Sequence, residues 1–159
     1  MVMKNNKILI AYVTKCGVTE ENANIIANIL RKNGFLVDIV NIKKNHSPNI
    51  EKYDFVVIGS GIRIQKIYDE FYKFLDNNDI KGKKVAFFFS SNEAGNPKSY
   101  EDFVRKYVKP TLTKYPKLKI VAVEGFGGRM KILGKVISDD RKPEKVKIWA
   151  EELSKKLKS

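Results

Sequence analysis

The stretch that decides the fold lies near the start of the chain, at residues 7–34, KILIAYVTKCGVTEENANIIANILRKNG. Residues 7–14 form a short, continuous apolar run, which is typical of a β-strand buried on both faces. Residues 19–33 place apolar side chains on one side of a helix, with Thr19 as the expected N-cap and Gly34 just beyond the last turn. A buried strand that leads directly into an amphipathic helix indicates an α/β protein.

The same alternation continues along the rest of the chain. Pro110 is expected to end the third helix, and an irregular segment follows the fifth strand. We therefore expect residues 1–159 to form a single α/β domain, a three-layer, doubly wound, five-stranded parallel sheet with helices on both faces. Further strands are predicted at residues 35–42, 53–60, 84–90 and 118–124, and further helices at 66–78, 99–108 and 143–157.

The chain is strongly basic. It contains 31 Lys and Arg residues against 18 Asp and Glu residues, a net charge of +13 at pH 7, and residues 81–159 carry most of the excess. Such a balance suits nucleic acid, an anionic membrane or an acidic protein, whereas a Lys-rich coding composition explains it equally well. No helix-turn-helix, aromatic RNA-binding motif or zinc finger accompanies the charge, so nucleic acid is not expected as a partner.

Several classes of protein are excluded by composition. With one Cys and one His, the chain lacks the residues for an intrachain disulfide, a thiolate-rich metal centre or a His-based catalytic triad, and no metal site is expected. No apolar run approaches the 18 residues of a membrane-spanning helix, and the N-terminal apolar stretch is too short for a secretory signal. These features predict a cytoplasmic protein.

A ligand is expected at one edge of the predicted sheet. In open α/β sheets ligands bind outside the carboxyl ends of the strands, where the strand order reverses. The loops at that edge are residues 14–19, 59–65, 90–100 and 124–130, and all four are rich in Gly, Ser, Thr or Asn. The loops at the opposite edge are Lys-rich turns, so the composition itself distinguishes the two edges.

The first of these loops, residues 14–19, has the composition of a phosphate cradle. Backbone N–H groups at a helix N-terminus attract phosphate, Gly17 allows a close approach, and the hydroxyls of Thr14 and Thr19 can donate to phosphate oxygens. The alternative is an ordinary strand–helix turn in which Thr19 only caps the helix. Cys16 is either activated by the helix dipole or simply a small residue tolerated in a tight loop.

Other phosphate-binding motifs do not match. The chain has no Gly-rich loop followed by Lys-Ser/Thr, and a dinucleotide fingerprint at residues 14–19 would need more than the one glycine present. A phosphatase loop of the Cys-x5-Arg type would need Arg where the chain has Asn22.

Two motifs instead carry a family resemblance. Thr14-x-x-Gly17-x-Thr19 is similar to the flavodoxin phosphate loop, Ser/Thr-x-Thr-Gly-x-Thr, with Cys16 in place of the inner Thr. Residues 53–75, YDFVVIGSGIRIQKIYDEFYKFL, resemble a segment of the flavodoxin-type protoporphyrinogen IX dehydrogenases that includes the Ile62-Arg63 pair. Asp140-Arg141-Lys142 and Trp149-Ala150 resemble the final helix of that same branch and the residues before it.

The resemblance implies a flavodoxin-like fold and FMN as the cofactor, with the phosphate held by residues 14–19 and the flavin ring between the loops at 59–65 and 90–100. The flavin would carry the chemistry, so no catalytic side chain is assigned. Arg63 is a solvated cation, a contact to the flavin edge or a contact to a substrate carboxylate. The implied cofactor-binding residues are Thr14, Lys15, Cys16, Gly17, Val18, Thr19, Ser60, Gly61, Ile62, Arg63, Ser90, Ser91, Asn92, Gly95 and Tyr100.

The resemblance also implies redox function and leaves two forms of it open. The first is an FMN-dependent oxidoreductase similar to protoporphyrinogen IX dehydrogenase, acting on an acidic small molecule with a quinone as acceptor. The alternative is an electron carrier between redox partner proteins. A non-redox phosphate-binding module is a third interpretation. The apolar residues of 126–137, interleaved with cations, either contact the inner face of a membrane or pack on the edge of the domain.

Overall fold

A parallel sheet lies at the centre of the structure, a computed structural model that describes residues 6–159. Its strands are β1 (Lys7–Val13), β2 (Leu36–Asn41), β3 (Phe55–Arg63), β5 (Lys84–Ser90) and β6 (Lys119–Phe126), with the short β4 (Lys66–Ile67) beside β3. A separate hairpin consists of β7 (Arg129–Ile132) and β8 (Lys135–Asp139). The helices are α1 (Val18–Lys32), α2 (Asp69–Asn77), α3 (Tyr100–Phe103), α4 (Lys109–Lys114) and α5 (Pro143–Lys158), with a π-helical segment at Val104–Val108.

The strand order β2-β1-β3-β5-β6 confirms the predicted doubly wound, five-stranded parallel sheet. β1 lies in the interior of the sheet, with β2 on one side and β3, β5 and β6 in turn on the other. The order therefore reverses at β1 and β3, and a ligand crevice is expected outside their carboxyl ends.

Helices cover both faces of the sheet and produce two cores. On one face α1 and α5 pack against the sheet, with Trp149 beside Phe88 and Phe126. On the other face α2 and the π-helical segment contribute Phe71 and Tyr107 to an aromatic cluster around the fully buried side chains of β5. None of the helices within residues 6–159 has the length and hydropathy needed to cross a membrane.

The N-terminus of α1 differs from the prediction in its cap. Gly17, not Thr19, is the N-cap, and it has a left-handed backbone conformation with φ of 88°. Thr19 lies inside the first turn and is almost fully buried. At the other end the prediction for Gly34 is confirmed: its φ is 95°, and Phe35 N donates to Leu30 O across the helix end.

The segment after β3 also differs from the prediction, because α2 begins at Asp69 rather than at residue 66. Lys66 and Ile67 form an antiparallel hairpin with the end of β3, through the pairs Ile62 with Ile67 and Arg63 with Lys66. The two turn residues between them, Ile64 and Gln65, have φ of 50° and 57°. Two-residue turns with two positive φ values strongly prefer Asn-Gly, so this turn is strained.

Replacing both turn residues, Ile64→Asn with Gln65→Gly, is expected to raise the free energy of unfolding by about 1–2 kcal/mol. Ile64 is 85% exposed, so its removal sacrifices little packing. The measurement is urea denaturation of the protein without added ligand. The control is Ile137→Asn, an exposed apolar residue outside such a turn, which is expected to change stability by less than about 0.5 kcal/mol. An unchanged or lower stability of the double variant would contradict the strain argument.

Pro110 does not end the helix that contains Tyr100, contrary to the prediction. The helical backbone runs from α3 through the π-helical segment into α4, and Pro110 lies in the first turn of α4. A proline ring collides with the carbonyl one turn earlier in a regular α-helix. The wider π turn directly before Pro110 provides room for the ring, so the helix continues to Lys114.

The segment after β6, predicted to be irregular, is the β7–β8 hairpin. Its strands are joined by Leu133 and Gly134, both with positive φ. The hairpin exposes five large apolar side chains together with Lys131 and Lys135, and Leu133 is 98% exposed. We refer to Met130, Ile132, Leu133, Val136 and Ile137 as the hairpin face.

Candidate cofactor site

A cleft of about 460 Å³ lies at the carboxyl ends of β1, β3 and β5, the place where the strand order reverses. All four predicted ligand loops line it, and the fourth, residues 124–130, does so at the start of the β7–β8 hairpin. Ten of the fifteen predicted cofactor residues line this cleft: Lys15, Cys16, Val18, Thr19, Gly61, Ile62, Arg63, Ser90, Ser91 and Asn92.

The loop between β1 and α1 is shaped by an internal hydrogen bond. Gly17 N donates to Thr14 Oγ1 at 2.9 Å, and Glu21 N donates to Gly17 O at 3.0 Å as the first bond of α1. The N–H groups of the first turn have no partner within a helix and carry the positive end of its dipole. Thr14 and Gly17 thus shape the loop, while Val18 and Thr19 line the cleft.

The polar residues at the ends of β3 and β5 are largely engaged with each other. Ser90 Oγ accepts a buried hydrogen bond from Asn22 Nδ2 at 3.0 Å, which ties β5 to α1. Ser60 Oγ donates to Gly61 O at 2.7 Å and accepts from Tyr68 N at 3.4 Å. Ser60 lies behind the cleft wall, and its hydroxyl stabilises the hairpin turn after β3.

Gly95 and Tyr100, also predicted as cofactor residues, lie away from the cleft. Gly95 packs so closely on Gly127 that a Cβ at position 95 would lie 2.6 Å from the Cα of Gly127. The Tyr100 hydroxyl donates to Glu124 on β6, and the ring lines a different cavity beside α5. Burial, together with the bond to Glu124, raises the pKa of the Tyr100 hydroxyl. The bond to Glu124 therefore holds the Tyr100 side chain against β6 rather than at the cleft.

Tyr68 and Tyr107 are aromatic residues of the cleft that sequence reasoning missed. The Nζ of Lys15 lies 5.1 Å from the centre of the Tyr68 ring, a cation–π contact between two walls of the cleft. Burial raises the pKa of the Tyr68 hydroxyl. The sequence contained a signal for Tyr68, because the apolar residues Ile62 and Ile67 stand on either side of a two-residue turn, as in a β-hairpin. A helix was instead predicted through residues 66–78.

The cleft wall formed by the hairpin contains two more residues outside the predicted set, Arg129 and Lys131. Lys15 and Arg63 also line the cleft, so its cations come from three segments of the chain. The acidic lining residue, Glu93, is paired with Lys106 at 3.3 Å. This charge balance favours an anionic ligand.

Two buried polar atoms in this region have no hydrogen-bond partner within residues 6–159. They are Asn92 Oδ1, an acceptor, and Arg129 Nε, a donor, and both residues line the cleft. Buried polar groups are rarely left unpaired unless a ligand or water completes them. The cleft thus offers an acceptor, a cation, a helix N-terminus and aromatic surface to one bound molecule.

Comparison with known proteins gives a consistent family match. A family model described as a flavodoxin domain matches residues 9–134. The flavodoxin of Synechocystis is 24% identical, over 96% of this chain and 99% of that protein. The quinone-linked protoporphyrinogen IX dehydrogenase of Escherichia coli is 32% identical over 87 residues, which are 54% of this chain and 48% of that protein. The chain thus spans about half the length of this relative.

Solved structures share the fold at low identity. Oxidised flavodoxin 1 from Bacillus cereus superposes with a TM-score of 0.63 at 22% identity, over 94% of this chain and 97% of that one. Rubredoxin oxygen:oxidoreductase from Desulfovibrio gigas superposes with a TM-score of 0.65 at 22% identity, over 96% of this chain but only 36% of that larger protein. These likenesses establish the architecture.

FMN fits the chemistry of the cleft. A phosphate ester suits the N-terminus of α1 and the cations beside it, and a flavin ring with donors and acceptors on its edge suits a wall that contains Tyr68 and Asn92. Lys15, Cys16, Val18 and Thr19 line the first part of the cleft, in a loop shaped by Thr14 and Gly17, and Gly61, Ile62 and Arg63 form part of the second.

Proposed function

The chain belongs to the flavodoxin family, whose cofactor is FMN, and from that premise we propose that it transfers electrons between FMN held in this cleft and an acidic redox partner protein. When bound, FMN supplies one- and two-electron chemistry. The observation that carries the proposal is the convergence of the α1 N-terminus, four cations and two unpaired buried polar atoms on one cleft at the switch point of the sheet.

The roles of the chain's own residues in this proposal are binding, orientation and exclusion of water. The loop at residues 14–19 binds the phosphate group, and Thr14 holds that loop in shape through its bond to Gly17. Ile62, Tyr68 and Tyr107 provide apolar and aromatic surface for the ring. Arg63, exposed at the end of β3, remains at the mouth of the cleft, where it meets the partner.

The docking surface in this proposal is the mouth of the cleft together with the hairpin face. This surface contains exposed apolar side chains and the cations Arg63, Lys131 and Lys135. Asp139, the last residue of β8, is paired with Arg141 at 2.6 Å. Arg141 lowers the pKa of Asp139 to about 2, so this pair stays ionised at physiological pH. Exposed apolar side chains interspersed with cations are complementary to an acidic protein surface.

The rate of electron transfer from the FMN-loaded protein to an acidic ferredoxin is expected to fall at least about tenfold between 10 and 200 mM salt, because screening weakens attraction between the basic surface and the acidic partner. Stopped-flow absorbance measures the rate of this electron transfer at each salt concentration. Transfer to an uncharged quinone serves as the control and is expected to be almost independent of salt. A salt-independent rate with the ferredoxin would contradict the proposed partner class.

A second candidate function is dehydrogenation of a porphyrinogen-like substrate with a quinone as acceptor. It is favoured by the 32% identity to the Escherichia coli enzyme over 87 residues and by the cations at the cleft mouth, which suit the carboxylates of such a substrate. Anaerobic mixing of the FMN-loaded protein with protoporphyrinogen IX and a quinone tests it. Oxidation no faster than with free FMN excludes this candidate.

A peripheral membrane contact is the alternative occupant of the hairpin face. The combination of apolar side chains with Lys131 and Lys135 also suits an anionic lipid surface. Co-sedimentation with vesicles of phosphatidylglycerol and phosphatidylcholine separates the two. Binding to anionic vesicles that Leu133→Asn abolishes assigns the face to the membrane, and a protein that stays in the supernatant excludes it.

A further inference from the structure

Arg129 reaches from the hairpin to the loop between β1 and α1. It is the first residue of β7, and its Nη2 donates to the carbonyl oxygen of Cys16 at 3.2 Å, although the two residues are 113 positions apart in the sequence. Cys16 lies in the middle of residues 14–19. The guanidinium is therefore held directly beside residues 14–19.

The rest of the guanidinium is not satisfied by the protein. Arg129 Nε is buried and has no hydrogen-bond partner, and no carboxylate within residues 6–159 forms an ion pair with this side chain. A buried guanidinium N–H without an acceptor is costly, and the cost disappears when an anion binds. By contrast, the ammonium of Lys15 already contacts the Tyr68 ring.

The backbone on both sides of the hairpin holds Arg129 in place. Asp140 N donates to Gly128 O at 2.8 Å, and the carbonyl of Asp140 lies so close to Gly127 that a Cβ there would be 1.7 Å away. Arg141 then ties the end of β8 to Glu21 on α1 at 3.1 Å. The hairpin base is thus fixed to the same helix whose N-terminus forms the cradle.

We propose that Arg129 binds the phosphate group of FMN and makes the site selective for phosphorylated flavin. The inference rests on the proposed placement of FMN in the cleft. Its basis is the position of the guanidinium beside residues 14–19, its unpaired Nε and the match between a guanidinium edge and phosphate oxygens. The phosphate loop itself offers only neutral donors and the solvent-exposed Lys15, so the half-buried Arg129 supplies a positive charge held in place by the protein.

The test is a double comparison of ligand and side chain. FMN and riboflavin differ only in the phosphate, so each is titrated into wild-type protein and Arg129→Gln while flavin fluorescence is followed. We expect Arg129→Gln to weaken FMN binding at least about tenfold and riboflavin binding less than about twofold. Lys135→Gln, which removes one charge from the same hairpin outside the cleft, is the control and is expected to leave the FMN-to-riboflavin ratio unchanged.

A second measurement keeps the result independent of flavin. Inorganic phosphate is expected to raise the thermal midpoint of the FMN-free wild type, because a ligand that binds only the native state stabilises it, and to raise that of Arg129→Gln much less. Equal losses for FMN and riboflavin, or no loss for either, would overturn the assignment of Arg129 to the phosphate. Wild-type protein that binds neither flavin would instead refute the proposed function.

Discussion

Replacing Gly17 by valine is expected to lower the affinity for FMN about ten- to thirtyfold. Gly17 has φ of 88°, a left-handed conformation that costs a side chain with a Cβ roughly 1–2 kcal/mol and a β-branched one at least that much. Apart from its two chain neighbours, no residue between 6 and 159 has an atom within 4 Å of a Cβ at this position, so we expect the loss to come from the backbone rather than from a steric collision. The valine backbone leaves the left-handed region, and FMN must restore it on binding.

The matched control is Gly82→Val. Gly82 also has a left-handed backbone, with φ of 82°, and also has no atom within 4 Å of a Cβ, but it precedes β5 at the opposite edge of the sheet. Both variants are expected to lose similar amounts of stability, and only Gly17→Val is expected to lose FMN affinity. Fluorescence titration and urea denaturation measure the two quantities. Unchanged FMN binding by Gly17→Val would show that the phosphate is bound elsewhere.

Replacing Gly127 by alanine is expected to lower the free energy of unfolding by about 3 kcal/mol, the upper end of the usual cost of overpacking. A Cβ at this position would lie 1.7 Å from the carbonyl oxygen of Asp140 and 2.4 Å from its carbonyl carbon. These are backbone atoms at the base of the hairpin, so they cannot rotate away as the end of a flexible side chain does. Relief requires the chain at residue 140 to move.

That movement has a functional consequence, because Arg129 lies two residues after Gly127. FMN affinity is expected to fall together with stability, while the rest of the sheet stays intact by circular dichroism. Gly128→Ala is the control, since its Cβ would approach no atom closer than 3.2 Å and its loss of stability is expected to be smaller. Equal stability of Gly127→Ala and wild type in urea would show that the hairpin base is not closely packed.

The sheet was predictable because its strands are short apolar runs separated by helices with clear periodicity. β1, for example, has six consecutive buried residues after Lys7, and α1 buries the apolar stripe that the sequence displays. The position of the loop at residues 14–19 beside the cleft was predictable for a related reason, because the topology sets its place after the first strand.

The parts that were mispredicted depend on long-range contacts. The continuation of the helix past Pro110 depends on a π turn, which no local propensity indicates. The hairpin after β6 has Leu133 in a turn position that favours Asn or Gly, so local turn chemistry gave no signal for it. Tyr100 was expected near the flavin ring, but its hydroxyl is paired with Glu124 on a strand that lies 24 residues later.

The meaning of the +13 charge is clearer with the structure. Four cations line the cleft, and two of them, Arg129 and Lys131, come from the half of the chain that carries most of the excess. The hairpin brings part of the basic excess to the cleft, so we expect this charge to serve ligand binding as well as the outer surface.

The most direct test of the central claim is a titration of the purified, flavin-free protein with FMN, followed by fluorescence quenching and by the absorbance bands near roughly 370 and 450 nm. The account predicts saturable binding of one FMN per chain, with much weaker binding of riboflavin. Absence of saturable FMN binding, or equal affinity for FMN and riboflavin, would contradict a site built around the phosphate at the N-terminus of α1.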